Sequence, residues 1–336
     1  MNTPVASLSL DLDNLWAYQM AHGDEAWRRH GSYLDVVVPL ILDEMERLGL
    51  TITVFVVGQD AAVAAHAEPL AALAHAGHEI GNHSFHHEPW LHRYSVERLA
   101  GELARAEAAI EGATGQRPVG FRGPGYSLSP TVLRLLAERG YEYDCSTLPT
   151  FIGPLARRYY FRTASFDAEQ RAERRFLFGT WRDGLRPLKP YWWQVGPRRL
   201  LEIPVSVMPV TRVPFHISYV LYLAGHSPAL AERYFAAGLR ACQLAGVEPS
   251  LLVHPLDLLG AEDVRELGFF PGMTMPGKDK RAVLRACLER FAGRYRVVPM
   301  REHARVLASR GELATKPSSA ASPDGQATAE VVPLRR

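Results

Sequence analysis

Two histidines, His83 and His87, stand four residues apart in Gly77-His78-Glu79-Ile80-Gly81-Asn82-His83-Ser84-Phe85-His86-His87. On a helical turn that spacing puts both imidazoles on one face, with Cβ atoms about 5–6 Å apart. Such a pair can close on one cation, and a third ligand from elsewhere would leave positions open for water. The competing reading is a polar surface turn that happens to be rich in histidine. The metal reading gains weight only if a carboxylate ligand can be found.

Val5 to Leu10 reads as a short strand that ends in Asp11-Leu12-Asp13-Asn14. Residues two apart on a strand point to the same side, so Asp11 and Asp13 can share one site if the strand persists that far. An Asx-rich turn is the alternative, because Asp and Asn favour turns through local hydrogen bonds. Arg122 follows another short strand, Pro118 to Phe121, in the Gly/Pro-shaped turn Arg122-Gly123-Pro124-Gly125-Tyr126. There its guanidinium is a candidate to steer a carboxylate by a forked hydrogen bond. His254 ends the apolar strand Ser250 to His254. At that position a satisfied structural histidine and a catalytic one remain equally open.

The elements that would carry these groups alternate. Leu34 to Leu48 has apolar residues at helical spacing and stops at Gly49; Leu50 to Val57 is a β-branched apolar run. Ala61 to Ala76 is helical, and a short strand runs from His78 to Gly81. The order β-α-β-α-β implies a parallel sheet with helices outside. Ser95 and Ser129-Pro130 open two further helices as N-caps. Later strands are expected at Tyr141 to Asp144, Leu200 to Val207 and Tyr295 to Met300, with helices at Ser227 to Gly246, Lys280 to Gly293 and Arg301 to Arg310. Parallel strands present one edge to the same face, so groups at their ends could converge.

Residues 151–199 break the alternation and are rich in arginine and aromatics, including Trp192 and Trp193. A loop this long in a compact protein is usually functional or disordered, and the aromatic content argues against disorder. Three readings stay open: a lid that stacks on sugar rings, a surface for an anionic or phospholipid-linked substrate, and an insertion packed for stability only. From about Ala314 the chain turns to Ser, Pro, Ala, Thr and Gly without apolar period, so residues 314–336 are expected to be a disordered tail behind one domain over 1–313.

With 47% hydrophobic and 22% charged residues, the chain can bury a sizeable core. A formal charge of +2 gives no polyanion-binding signal, and nucleic acid is not expected as a partner. Cys145, Cys242 and Cys287 are widely spaced and show no CxxC, which suits a reducing compartment. No stretch reaches the roughly 18 apolar residues of a membrane span. The N-terminal residues lack a basic segment followed by a long apolar run, so the expected location is the cytoplasm, with peripheral membrane contact left open.

Taken jointly, the motifs resemble the polysaccharide deacetylases of the NodB type, carbohydrate esterase family four. The resemblance rests on Ser9-Leu10-Asp11-Leu12-Asp13, the Gly77 to His87 stretch, Phe121-Arg122-Gly123-Pro124-Gly125-Tyr126, Tyr143-Asp144-Cys145-Ser146 and Leu252-Val253-His254-Pro255. It spans about residues 5 to 308. It implies a distorted (β/α) barrel of about seven parallel strands and a divalent metal, most often Zn2+. The implied substrate is an N-acetylated amino sugar in a glycan or glycan precursor, lipid- or phosphate-linked ones included. In this resemblance Asp13, His83 and His87 are the metal ligands, Asp11 is the base, Arg122 holds Asp11, and His254 is the acid. Leu252 lines the acyl pocket, Tyr126 and the Gly125 backbone adjoin the substrate, and Trp192 and Trp193 are candidate substrate-binding residues. Leu12 separates two aspartates that the family usually sets side by side, an Asp-x-Asp variant. A deformylase or other C–N hydrolase on the same fold is the alternative, and a catalytically silent carbohydrate-binding protein a third.

Overall fold

The computed structural model describes residues 3–163, 171, 179–311 and 313–321. Ten strands join in one sheet: β1 Val5–Leu12, β2 Thr53–Val56, β3 Glu79–Asn82, β4 Gly120–Phe121, β5 Tyr143–Asp144, β6 Tyr191–Val195, β7 Arg198–Glu202, β8 Ser250–Val253, β9 Arg296–Val298 and β10 Thr315–Pro317. Their order is β10-β6-β7-β5-β4-β3-β2-β1-β8, with β9 also against β1. The pairings are parallel except for the β6–β7 hairpin. The helices are α1 Leu15–His22, α2 Leu34–Leu48, α3 Gly58–Ala61, α4 Ala67–His75, α5 Val96–Thr114, α6 Pro130–Glu138, α7 Gly153–Thr163, α8 Ile217–Ala224, α9 Pro228–Ala245, α10 Gly277–Ala292 and α11 Met300–Ser309. This is a β/α architecture in which helices connect mostly parallel strands.

β1 shows how the sequence sorts the two faces of the sheet. Ala6, Leu8, Leu10 and Leu12 join the large apolar core with α2, α9 and α10. The alternate residues Ser7, Ser9 and Asp11 are buried on the other face. β2 follows the same rule: Val54 and Val56 face the large core, while Phe55 packs with Tyr143, Cys145, Leu201, Ile203 and Met300. A period of two in an otherwise buried strand therefore places the polar residues on one face. β1, β2, β3 and β8 end near one edge, and the loops leaving that edge carry the chemistry.

Two strands lie where none was expected. β6 falls inside 151–199 and returns through Gly196, at φ 56°, to pair with β7. β10 falls inside the stretch expected to be a disordered tail. It pairs parallel with β6, Thr315 opposite Trp192, and Ala321 beyond it is buried against the cluster that holds Tyr191 and Trp193. The composition there hid the strand, because its side chains are exposed and its pairing with β6 is made through the backbone. Residues 322–336 of the expected tail, and 164–170 and 172–178 of the expected insertion, lie outside the described residues.

Candidate metal and active site

Asp13 sits one residue past the end of β1, and Asp11 is the last inward-facing residue of that strand. His83 and His87 follow β3 directly. They do not lie on a helical turn. Ser84 and His87 take left-handed φ values of 63° and 55°, so the chain bends back on itself. Three side chains hold the bend. Asn82 Oδ1 accepts from the Ser84 N–H at 2.8 Å, and Ser84 Oγ accepts from the His87 N–H at 3.1 Å. Glu102, reaching down from α5, accepts from the N–H groups of Phe85 and His86 at 2.9 and 2.7 Å. Side-chain caps of this kind replace the helical ladder that the spacing suggested. The two imidazoles still meet, with ring centroids 4.9 Å apart.

Asp13 Oδ1 lies 3.3 Å from His83 Nε2 and 2.9 Å from His87 Nε2. One ligand atom from each of the three residues falls within 4.8 Å of the others. His83 Nδ1 is 2.7 Å from the Arg122 carbonyl oxygen, so it must be the donor there. In the neutral ring this leaves a lone pair on Nε2, aimed at a carboxylate oxygen that itself has no hydrogen-bond partner. Acceptors that face one another in a buried site need a positive charge between them, a proton or a cation. An Asp-His-His set with Nε2 lone pairs inward fits a divalent ion such as Zn2+. The charge coupling is visible in the carboxylate: burial pushes the Asp13 acid up, but His87 and His83 outweigh it and hold Asp13 well below the usual range. Burial lowers His83, and Asp11 and Asp13 more than reverse that.

Arg122 is fully buried and holds Asp11. Its Nη1 donates to Asp11 Oδ1 at 2.6 Å and to Ser9 Oγ at 2.9 Å, and Nε donates to the Cys145 carbonyl at 3.2 Å. Its guanidinium lies 4.5 Å from the centre of the Phe55 ring. Gly81 makes room for that ring, since a Cβ there would come within 2.5 Å of Phe55. His254 Nε2 stands 4.0 Å from Asp11 Oδ2. On its far side, Nδ1 is 3.1 Å from Ser218 Oγ, and Ser218 donates to Asp257 Oδ2 at 3.1 Å. Asp257 Oδ2 also accepts the His254 backbone N–H at 2.8 Å. Tyr126 completes the ring of groups. Burial raises its phenol well above the ordinary value, and the neighbouring Asp11 carboxylate adds to that. Gly125, exposed at φ 58°, packs on Pro89 at the rim. Leu252 is buried opposite Ser9, on the face of β8 away from Leu251 and Val253, which belong to the large core.

The structure thus brings Asp11, Asp13, His83, His87, Arg122, Tyr126 and His254 together. It does not bring the tryptophans there. β6 is separated from β1 by β7, β5, β4, β3 and β2 in the sheet. Trp193 is 1% exposed, and its indole N–H donates to Glu202 Oε2 at 2.8 Å. Trp192 lies under the Arg199 guanidinium, 5.0 Å away, and packs against a core cluster. A buried indole with its N–H engaged cannot stack on a sugar, so the substrate-binding reading of Trp193 is corrected to a packing role. Trp193→Ala is expected to cost about 3–5 kcal/mol of stability, read as a lower melting temperature, while the Michaelis constant of the folded fraction stays near that of the parent.

Ser218, Asp257 and His216 did not emerge from the sequence. Asp257 left a trace, since an acid three residues after His254 stands where it can cap the turn behind it. Ser218 and His216, on and beside α8, left none, because only the tertiary fold brings them to His254. The His216 ring lies 6.2 Å from that of His254 and 4.8 Å from that of Tyr219. Burial, with His254 and Arg122 adding to it, pushes His216 down to about 3. A histidine held neutral by the fold but free to protonate when unfolded destabilises the native state as pH falls below the unfolded value. Between pH 7 and pH 5 the loss from this one group is about 2 kcal/mol. His216→Phe is therefore expected to lose less stability than the parent over that interval, measured by urea unfolding at both pH values.

Residues 29–143 match the family model for polysaccharide deacetylase. A peptidoglycan deacetylase of Helicobacter pylori is 27% identical over 128 residues, which is 38% of this chain and 41% of that protein. The chain thus spans about two fifths of that relative's length. A crystal structure from Mycobacterium smegmatis, of a protein ascribed to the polysaccharide deacetylases, superposes with a TM-score of 0.59 at 21% identity, over 94% of this chain and 98% of that one. Another from Pseudomonas aeruginosa PAO1, with the same ascription, gives 0.56 at 17%, over 90% and 89%. At these identities the structures show the shared fold. Residues 29–143 are thus similar to the polysaccharide deacetylase family, and the fold over most of the chain is shared with these two structures.

Proposed function

We propose that the protein is a metal-dependent deacetylase that hydrolyses the N-acetyl amide of an amino sugar in a glycan or glycan precursor. One observation carries this reading: the Asp13, His83 and His87 ligand atoms converge within 4.8 Å beside Asp11, a carboxylate held by a buried arginine. A divalent ion held by those three residues supplies Lewis acidity, which lowers the pKa of a water in the site and polarises the amide carbonyl.

The chain's own groups do the rest. Asp11 Oδ2 faces the gap towards His254, while Oδ1 is tied to Arg122. It is therefore placed to take the proton of the attacking water. An amine leaves poorly until it is protonated, and His254 can supply that proton from Nε2. Ser218 accepts from His254 Nδ1 and passes the interaction on to Asp257, which fixes the orientation of the ring. Leu252, buried beside Ser9, is the apolar side chain this reading sets against the acetyl methyl. Among the described residues no helix is long and apolar enough to cross a membrane.

The test is a panel of N-acetylated and N-formylated amino sugars and glycan precursors, incubated with zinc-loaded protein, with released acid measured. Acetate from at least one acetylated sugar is expected. Formate release without acetate would move the assignment to the deformylase reading. No acid from any member, by protein carrying about one metal per chain, would leave a carbohydrate-binding protein without this activity.

A further inference from the structure

We infer that Asp60 is the positioning residue that fixes His87 as a metal ligand, by accepting the proton on His87 Nδ1 across one water. This rests on the metal reading above and concerns a residue outside the three ligands. Asp60 lies on α3, behind the histidine loop, and is buried. Its Oδ1 is pinned by two donors, Asn14 Nδ2 at 2.8 Å and Trp16 Nε1 at 2.9 Å. Its other oxygen, Oδ2, is buried and has no hydrogen-bond partner. His87 Nδ1 is likewise buried and unpartnered.

The two orphans belong to neighbouring side chains. The Trp16 ring that donates to Asp60 also stands edge-on to the His87 ring, with centroids 6.3 Å apart. Burial raises the Asp60 carboxyl, and the Asn14 and Trp16 hydrogen bonds, His66 and, least, His87 oppose that rise, so His87 lies within electrostatic reach of it. Both orphan atoms are buried hydrogen-bonding groups, and leaving either unmade is costly. A direct bond is not formed, and a bridging water satisfies both at little entropic cost. The consequence is chemical. With an acceptor on the Asp60 side, the His87 proton sits on Nδ1 and the Nε2 lone pair faces Asp13 and His83. The Arg122 carbonyl does the same for His83. Each histidine thus has its own outer partner, a carbonyl for one and a carboxylate for the other.

Asp60→Asn tests this sharply. Asn14 and Trp16 are both donors, so they keep the amide oxygen at the Oδ1 position. The amide nitrogen must then take the place of Oδ2 and present donors where an acceptor stood. That favours the His87 tautomer with its proton on Nε2, which competes with the metal. Zinc affinity, measured by chelator competition, is expected to fall about tenfold to a hundredfold, while the melting temperature of the metal-free protein stays close to the parent's. Trp16→Phe, which keeps an aromatic ring but removes one of the two donors to Asp60 Oδ1 and leaves Asn14 in place, is expected to give a smaller fall. An Asp60→Asn protein that binds zinc as tightly as the parent overturns the inference and leaves the metal site standing. If the Asp60→Asn protein binds zinc weakly only because its apo fold has melted, Asp60 is a structural residue and the inference is also overturned. A parent that holds no zinc at all removes the metal reading and this inference with it.

Discussion

His83→Ala and His87→Ala are each expected to purify without metal and without turnover. Each removes one of three protein donors whose atoms converge within 4.8 Å, and two donors no longer enclose the ion. The loss is of the Lewis-acid contribution, several kcal/mol of transition-state stabilisation, so hydrolysis should drop on the order of a thousandfold or more. Metal content by elemental analysis and acid release on the same sample check it. The two variants should differ in stability. His83 Nδ1 satisfies the buried Arg122 carbonyl, and its removal leaves that acceptor unpaired at a cost of about 1–3 kcal/mol. The His87 side chain meets Asp13 through Nε2 but has no direct partner at Nδ1, so His87→Ala leaves no buried carbonyl unpaired and should melt closer to the parent. A variant that keeps about one tight metal per chain would show that its histidine is not a ligand.

The groups legible in the sequence are those whose placement depends on short-range geometry. Asp11 and Asp13 could be paired because a strand repeats every two residues, and β1 keeps that period through Leu12. His83 and His87 could be paired from their spacing, although the backbone that joins them is a capped loop rather than a helix. What decides the loop is Glu102, well beyond it in sequence and brought in by α5. Arg122 could be singled out by its turn, but its partner could not be derived from spacing, because Ser9 and Asp11 lie more than a hundred residues away. The support of His254 was hidden for the same reason, since Ser218 reaches it from α8. Trp192 and Trp193 misled because aromatic content says that a segment is ordered, not which way its rings face. On β6 alternate residues face opposite sides of the sheet, and Trp193 faces the core. β10 was missed because backbone pairing leaves no trace in composition.

Asp11→Asn separates the two aspartates. Asp11 is not one of the three residues whose ligand atoms converge. Its Oδ1 is bound by Arg122, and its Oδ2 looks towards His254 across 4.0 Å. An amide keeps the shape and an acceptor for Arg122 but cannot take a proton from water. The variant is expected to hold metal at the parent's stoichiometry while turnover falls about a hundredfold to ten-thousandfold, the range for removal of a positioned base. Stability falls too, for a separate reason. Arg122 is wholly buried and loses its counter-charge, and removing one partner of a buried pair costs about 3–5 kcal/mol. Ser9 Oγ and the Cys145 carbonyl still receive its protons, so the guanidinium keeps its place. Turnover should therefore be read well below the variant's melting temperature, on samples whose metal content has been measured. If Asp11→Asn loses the metal and Asp13→Asn keeps it, the two roles are exchanged: the carboxylate tied to Arg122 would be the ligand, and the one between the imidazoles the base.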